Sequence, residues 1–313
     1  MADRQIENLR RQLEADPEDA QAQLDLAHAR ARLEGSSIFL EPLNDRLEWN
    51  KCSEPIQDLT INAVAERLKP DYEWLETQVY SCANSSHRIG SFTHLKSGLI
   101  LNLLPGGSFV MGERGWFPQK TCKSSPFLLG RFPVRQSCWD KVGAFDERGF
   151  FGPDRPIEGV SWKDCQAWLD KAGGELIFPS EMAWEYACRA GADTGYFWGA
   201  NEDNSYFWHS QNSEQKTHAV TKHETKWNSF GLRDMSGHVN EWCHDNWTVN
   251  YSSDGRFRRD SFGPRAIRDE DYKIIRGGSW VKPAIACRSG MIQRCLITGR
   301  SHVIGFRAAR LVK

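Results

Sequence analysis

The sequence predicts an irregular, loop-rich α+β domain, on three observations. Glycine and tryptophan are both abundant, 26 and 13 in 313 residues, so large rings must supply core area that regular elements do not. In the main body of the chain only two stretches combine a helix start with inward-facing apolar residues. Short apolar or alternating runs broken by glycine and proline fill the rest and read as strands and turns. Two helices set in a body of strands and loops make an α+β fold.

Residues 1–35 read as a helical appendage. Ile6, Leu9 and Leu13 fall at helical spacing among charged residues. Asp16-Pro17-Glu18-Asp19 then offers a cap, a first-turn proline and acids that suit a second helix. Leu24, Ala27 and Ala31 form a small-residue stripe that Gly35 ends. This hairpin resembles half of a tetratricopeptide repeat. A single such unit cannot bury its own face, so it packs on its own domain, on a second copy of the chain or on a partner.

Residues 36–88 read as a lead-in packed on the main domain. Thr60 can cap a helix running to Leu68, and Pro70 can start another carrying Tyr72 and Leu75. Around Ser85-Ser86 a loop precedes Ile89, Phe92 and Leu95, which suit short strands. The main domain then spans 89–313. Gly98 to Leu104 is a buried strand halted at Pro105-Gly106-Gly107. One helix begins at Ser161, with Ala167, Trp168 and Leu169 inward. Another begins at Pro179-Ser180-Glu181 and carries Trp184, Tyr186 and Ala187. Beyond it only short strands are expected.

Composition narrows the function. The formal net charge is −1, so there is no global attraction for a polyanion. The N-terminus lacks the basic-then-apolar pattern of a signal peptide, and no apolar run reaches membrane-span length. A cytoplasmic location is the expectation, with the nine cysteines held as thiols. No CxxC pair exists, which argues against structural zinc.

Six ordered stretches carry a family resemblance: LLPGGSFVMG (103–112), RPIEGVSWKDCQAWL (155–169), LIFPSEMAWEYACRAGADTGYFWG (176–199), NSFGLRDMSGHVNEW (228–242), IIRGGSW (274–280) and GFRAAR (305–310). Together they resemble the formylglycine-generating-enzyme, or sulfatase-modifying-factor, domain family. The resemblance implies a compact, irregular α+β fold related to C-type lectins. That scaffold hosts oxidases, iron-dependent sulfoxide synthases and non-catalytic binding proteins, so each activity is judged at its own residues.

The copper oxidases of the family use two cysteines five residues apart after the RGGS turn, since paired thiolates suit Cu(I). Here those positions hold Lys282 and Cys287. An ammonium cannot replace a thiolate, so copper is not expected. The sulfoxide synthases carry iron on an HxxxHxE-type arrangement. None of the nine histidines forms one, so iron is not expected either. An oxidoreductase that uses Cys287 with a metal or a second thiol is the alternative reading.

The tail fits a third option better. The spacing RGGSW…AxxCRSG…R…R…GFRAAR resembles variable proteins of diversity-generating retroelements. The resemblance implies a frame of Arg276, Gly277, Gly278, Ser279, Trp280, Ala284, Cys287, Arg288, Ser289, Arg294, Arg300, Gly305, Phe306 and Arg307. The positions between form a variable ligand-binding face: Val281, Lys282, Pro283, Ile285, Ala286, Met291, Gln293, Cys295, Leu296, Gly299, Ser301, His302 and Val303. Glycine pairs suit positive-φ turns, and Trp280 and Phe306 have the bulk of core residues. Apolar side chains on loops between charged frame residues suit a protein ligand. Ile297 and Ile304 are expected to face inward.

The same resemblance implies a calcium loop at Asp234-Met235-Ser236-Gly237-His238-Val239-Asn240-Glu241. Its carriers would be Asp234, Gly237, Val239 and Glu241, an oxygen set of the kind Ca²⁺ prefers. Pairing of the two acids with Arg276 or Arg307 is the competing arrangement. From Lys273 to Lys313 there are nine lysines and arginines and no acid, which taken alone suggests nucleic acid. Most of those arginines occupy frame positions, where Glu181, Glu185 and Glu241 can neutralise them, so nucleic-acid binding is not expected.

Overall fold

The computed structural model describes residues 2–16, 19, 22–23, 25–26, 36–221, 225–247 and 271–312. Helix α1 is Ala2–Ala15, with Leu9 and Leu13 half-buried. Asp19 caps the next helical segment in place of Asp16, its Oδ1 accepting the Ala22 amide at 2.8 Å. Gln23 then accepts the Ser53 amide at 2.9 Å and ties the appendage to the lead-in. Leu24, Ala27, Ala31 and Gly35 lie outside the described residues.

The lead-in departs from expectation twice. Helix α2 is Arg46–Lys51, capped by the Asp45 side chain. Helix α3 is Glu54–Leu68 and starts after Ser53 with Pro55 in its first turn. Thr60 is therefore mid-helix, and its hydroxyl donates to the Ile56 carbonyl at 2.9 Å. A Ser-x-Pro entry offered an earlier start, and the apolar face was continuous across Thr60. Pro70 starts no helix. Tyr72–Cys82 is strand β1, paired along its length with β2, Ser85–His94, through a tight turn at Ala83 and Asn84. Cross-strand pairing outweighed the local helical signal of Tyr72 and Leu75.

The strands that follow are β3 (Ile100–Leu104), β4 (Gly107–Met111), β5 (Lys120–Ser124) and β6 (Phe127–Gly130). Helices α4 (Gln136–Val142), α5 (Trp162–Ala172) and α6 (Glu181–Arg189) come next. The last strands are β7 (Asn240–Asn246), β8 (Tyr272–Arg276), β9 (Ile292–Leu296), β10 (Ile304–Gly305) and β11 (Ala309–Leu311). One sheet runs β1-β2-β3-β6-β11, a second β10-β7-β8-β9, and β4 with β5 makes a ribbon. The lead-in hairpin is thus part of the main sheet and not a layer laid on it.

Both expected helices form where their caps predict. Ser161 and Asp164 close a reciprocal capping box, and the Ser180 hydroxyl accepts the Ala183 amide. Trp162, Cys165, Trp168 and Leu169 face inward on α5, whereas Ala167 is exposed. The helical period explains the difference, because Cys165, three residues before Trp168, takes the buried position. Aromatic rings build the core as the composition implies. Trp139 stacks on Trp168 at 5.8 Å, and Phe306 meets both edge-on. Among the described residues no helix is long and apolar enough to cross a membrane.

Candidate binding face and its buried frame

Strand β8 delivers Arg276 into the interior, and Gly277 and Gly278 then turn the chain at φ +94° and +74°. Gly278 passes so close to Cys287 that a Cβ there would lie 2.5 Å from its sulfur. Only glycine permits that approach in a left-handed conformation. Beneath the turn, charges are paired in a chain. Arg276 meets Glu185 and Glu181, Arg189 bonds Glu185 at 2.8 Å, and Arg288 bonds Glu113 at 2.6 Å. Arg307 bonds Glu241, while Arg300 bonds Asp164 at 2.8 Å. Arg294 lies over the rings of Trp247 and Tyr272 at 5.1 and 4.9 Å. The basic tail spends its arginines on internal acids and rings, which leaves little field for a polyanion.

Cys287 is fully buried beside Tyr196, Phe207 and Ala284. Burial pushes its thiol up to about 12, against the opposing pull of the Ser279 and Gly237 amides and the Lys282 charge. Its sulfur lies 3.8 Å from the Pro283 carbonyl oxygen. Neither accessible nor ionised, it lacks what a reactive thiol requires. Lys282, at the position of the first copper cysteine, is half-exposed. Its carbonyl accepts the Ser210 amide at 2.9 Å.

Every intervening position is exposed or half-exposed, from Val281, Lys282, Pro283, Ile285 and Ala286 through Met291, Gln293, Cys295 and Leu296 to Gly299, Ser301, His302 and Val303. By contrast Arg276, Gly277, Gly278, Ser279, Ala284, Cys287, Ser289, Gly305, Phe306 and Arg307 are buried. Ile297 and Ile304 also face inward. Trp280 differs from its expected core role. It is half-exposed and edge-on to Phe150 at 5.4 Å, and its Nε1 donates to the His302 carbonyl at 3.0 Å. The indole therefore bridges two of the exposed loops instead of filling the interior.

Those bridges define which positions converge. Trp280 joins Val281 and Lys282 to Ser301 and His302, and His302 Nδ1 sits 2.9 Å from Glu158. Ser213 donates to the Trp280 carbonyl at 2.8 Å, fixing the loop from the other side. Met291, Gln293, Cys295 and Leu296 stand apart, at or beside strand β9 on the sheet edge opposite β10. Cys295 and Val303 pack partly on the main core.

The sequence reading missed the loop of residues 143–153, which borders Trp280 and His302. It exposes Phe145 and Phe151, the latter 76% accessible, and Arg300 lies over the Phe145 ring at 4.9 Å. Two adjacent phenylalanines between Gly149 and Gly152 were the available signal, since rings on a glycine-flanked turn have no regular face to bury them.

Both acids expected to hold calcium have protein partners in this structure. Glu241 accepts from Arg307 Nε and Nη2 and from Trp184 Nε1, so a guanidinium already neutralises it. Asp234 accepts from Thr225 at 3.1 Å, and its other oxygen faces His238 Nδ1 at 3.5 Å. Burial pushes the Asp234 carboxyl upward, but His238 and Thr225 more than offset this and hold it below the usual range. His238 Nε2 accepts the His218 amide at 2.9 Å, so in the neutral ring the proton sits on Nδ1, toward Asp234. Among the described residues no group of three or more His, Cys, Asp or Glu could hold a metal ion.

Residues 97–312 match the sulfatase-modifying factor enzyme 1-like domain, and the chain belongs to that family. The formylglycine-generating enzyme of Bos taurus is 27% identical over 211 residues, covering 61% of this chain and 52% of that one. The chain spans about half the length of the curated relatives it matches. Among solved structures, Treponema denticola variable protein 1 superposes with a TM-score of 0.60 at 23% identity, over 75% of this chain and 99% of that one. PvdO from Pseudomonas aeruginosa gives 0.59 at 27% identity, over 71% and 98%. The fold is therefore the mixed helix-and-sheet fold of this family.

Proposed function

We propose that this member of the sulfatase-modifying factor family is a non-catalytic binding protein that displays its C-terminal loops to a protein ligand. The observation that carries the reading is the division of the tail. Ten of the fourteen frame residues are buried, with Arg276 and Arg307 ion-paired among them, while all thirteen positions of the expected binding face reach the surface. The frame fixes the backbone, and the loop side chains set specificity. The binding face centres on Trp280, Val281, Lys282 and His302, with Pro283, Ile285 and Ala286 beside them and Phe150 and Phe151 at its border.

The likeness to a variable protein supports this reading through the fold alone. The retroelement origin has its own test. The DNA beside the coding sequence should hold a near-copy of the segment for residues 276–310 and a reverse transcriptase gene.

The decisive experiment is a library randomised at Val281, Lys282, Ile285, Ser301 and His302. Its members should fold at the yield of the parent, and selection should recover variants that bind chosen protein targets. Collapse of most members would refute display. The oxidoreductase alternative is checked on the parent chain by titration with Cu(I) against a chromogenic chelator. One equivalent held tightly, and released by Cys287→Ser, would establish it. The buried, un-ionised thiol beside Lys282 leads us to expect no such retention.

A further inference from the structure

The main sheet ends on a long strand whose second half, Glu76 to Cys82, has little of the usual protection of an edge. Strand β1 is outermost, and among the described residues no other strand pairs with its free side. It runs for 11 residues, Tyr72–Cys82, about twice the typical strand length. Proteins blunt such edges with lysine, proline, short length or a bulge. β1 contains no lysine, arginine or proline. Its one irregularity lies between Trp74 and Glu76, which leaves Glu76 to Cys82 in unbroken register with β2.

The exposed side of that stretch is apolar at its centre. Thr77, Val79 and Ser81 lie opposite Gly90, Arg88 and Ser86. The face is the one α3 covers on β2, where Ile61 presses on Gly90 within 3.0 Å of a Cβ position. The cover does not extend over Val79, which remains 63% exposed. Trp74, 51% exposed, extends the patch, its indole nitrogen 3.3 Å from the Thr77 hydroxyl.

We propose that β1 is the interface of a homodimer, in which two copies pair their β1 strands antiparallel about a two-fold axis at Val79. The strand is self-complementary in that register. Val79 meets Val79, Thr77 meets Ser81, Gln78 meets Tyr80, and Glu76 meets Cys82. Apolar and hydroxyl pairs of this kind stabilise a ladder, and no like charges face each other. Glu76 is in any case neutralised within its own chain by Arg131 at 2.7 Å. A two-fold partner is favoured over an unrelated peptide because Glu76, Thr77 and Ser81 each find a tolerant position opposite the strand's own copy.

The result is a continuous ten-stranded sheet, five strands from each copy. The display loops belong to the other sheet, so both faces stay free. If the proposed binding role holds, the dimer binds bivalently and gains avidity; the dimer itself does not depend on that role. One strand pair buries less than the roughly 1,600 Å² of a standard stable interface, so association should depend on concentration.

The test uses the full chain in sedimentation equilibrium. The parent should self-associate to a dimer, and Val79→Lys, an exposed substitution, should leave it monomeric with an unchanged unfolding midpoint. Val79→Cys should give a disulfide-linked dimer under mild oxidation that the parent does not. Thr77→Cys alone should not crosslink, whereas Thr77→Cys with Ser81→Cys should. A chain that stays monomeric at its highest soluble concentration overturns the proposal, as does a dimer that survives Val79→Lys. Equal crosslinking by the Thr77→Cys and Val79→Cys single variants overturns the register.

Discussion

Arg307 grips Glu241 with two guanidinium nitrogens, Nε at 2.7 Å and Nη2 at 2.8 Å, and neither side chain reaches solvent. The pair joins the GFR stretch near the C-terminus to the loop at Asp234. Its remaining hydrogen-bonding capacity is used as well. Arg307 donates to the carbonyls of Gly130 and Arg233, and Trp184 donates to Glu241. Breaking a satisfied buried pair from one side leaves an uncompensated charge, which costs about 3–5 kcal/mol. We expect Arg307→Met to lose that much in urea unfolding. Arg307→Met with Glu241→Leu should recover a large part of it. A double-mutant cycle with no coupling would show that the two residues do not act as a unit.

That ion pair also decides what calcium should do. A cation at the loop would have to compete with a guanidinium for Glu241. We expect the thermal midpoint to be unchanged by a chelator and by added calcium. A true site at a hundredfold excess over its dissociation constant would add about 2.7 kcal/mol. A calorimetric midpoint that rises with calcium, and fails to rise in Asp234→Asn, would restore the oxygen-cage reading.

Much of this arrangement was legible in the residues themselves. Ser161 and Ser180 announced their helices because a cap is a local signal. The split between frame and display positions came from the family resemblance, with which the glycine pairs agree. What the chain could not reveal was non-local. Tyr72 and Leu75 looked helical because the strand that pairs with theirs, Ser85–His94, follows later in the chain. Trp280 looked like core because bulk alone does not say that Phe150 meets it at the surface. A cation loop and a salt bridge share the residue types at Asp234 and Glu241, and the sequence could not reveal that Arg307 lies beside Glu241.

Gly278 and Val281 are three residues apart and should respond in opposite ways. At φ +74° Gly278 occupies a conformation that L side chains avoid, with the Cys287 sulfur 2.5 Å and the Ala286 carbonyl oxygen 2.9 Å from any Cβ. Gly278→Ala should cost about 2–4 kcal/mol through left-handed strain and overpacking. Val281 and Ile285 are 37% and 41% exposed. Val281→Asp and Ile285→Asp should stay within about 0.5 kcal/mol of the parent. Chemical denaturation of the three variants checks this, and a Val281→Asp loss as large as that of Gly278→Ala would make the loop part of the core.

Stability should fall in mild acid, before the carboxylates titrate. His87 and His94 are both buried, and burial pushes each down to about 4. The Arg46 charge adds to the effect at His87, while Asp71 opposes it at His94. His209 and His244 are lowered too, again chiefly by burial. His94 is hemmed in by Tyr72 at 4.9 Å and by the Ser97 hydroxyl at 2.8 Å, so water has little room to solvate an imidazolium. The sign follows from linkage. Below the unfolded value near 6.5 the unfolded chain takes up protons that the native chain refuses, so stability is full above that pH and drains away toward pH 4. Each such histidine contributes a slope of up to about 1.4 kcal/mol per pH unit in that window. Urea midpoints measured from pH 8 to pH 5 should therefore be flat and then fall. His94→Gln should flatten the fall by about one histidine's share. A midpoint that stays level to pH 5 would mean that these rings reach solvent in the native protein.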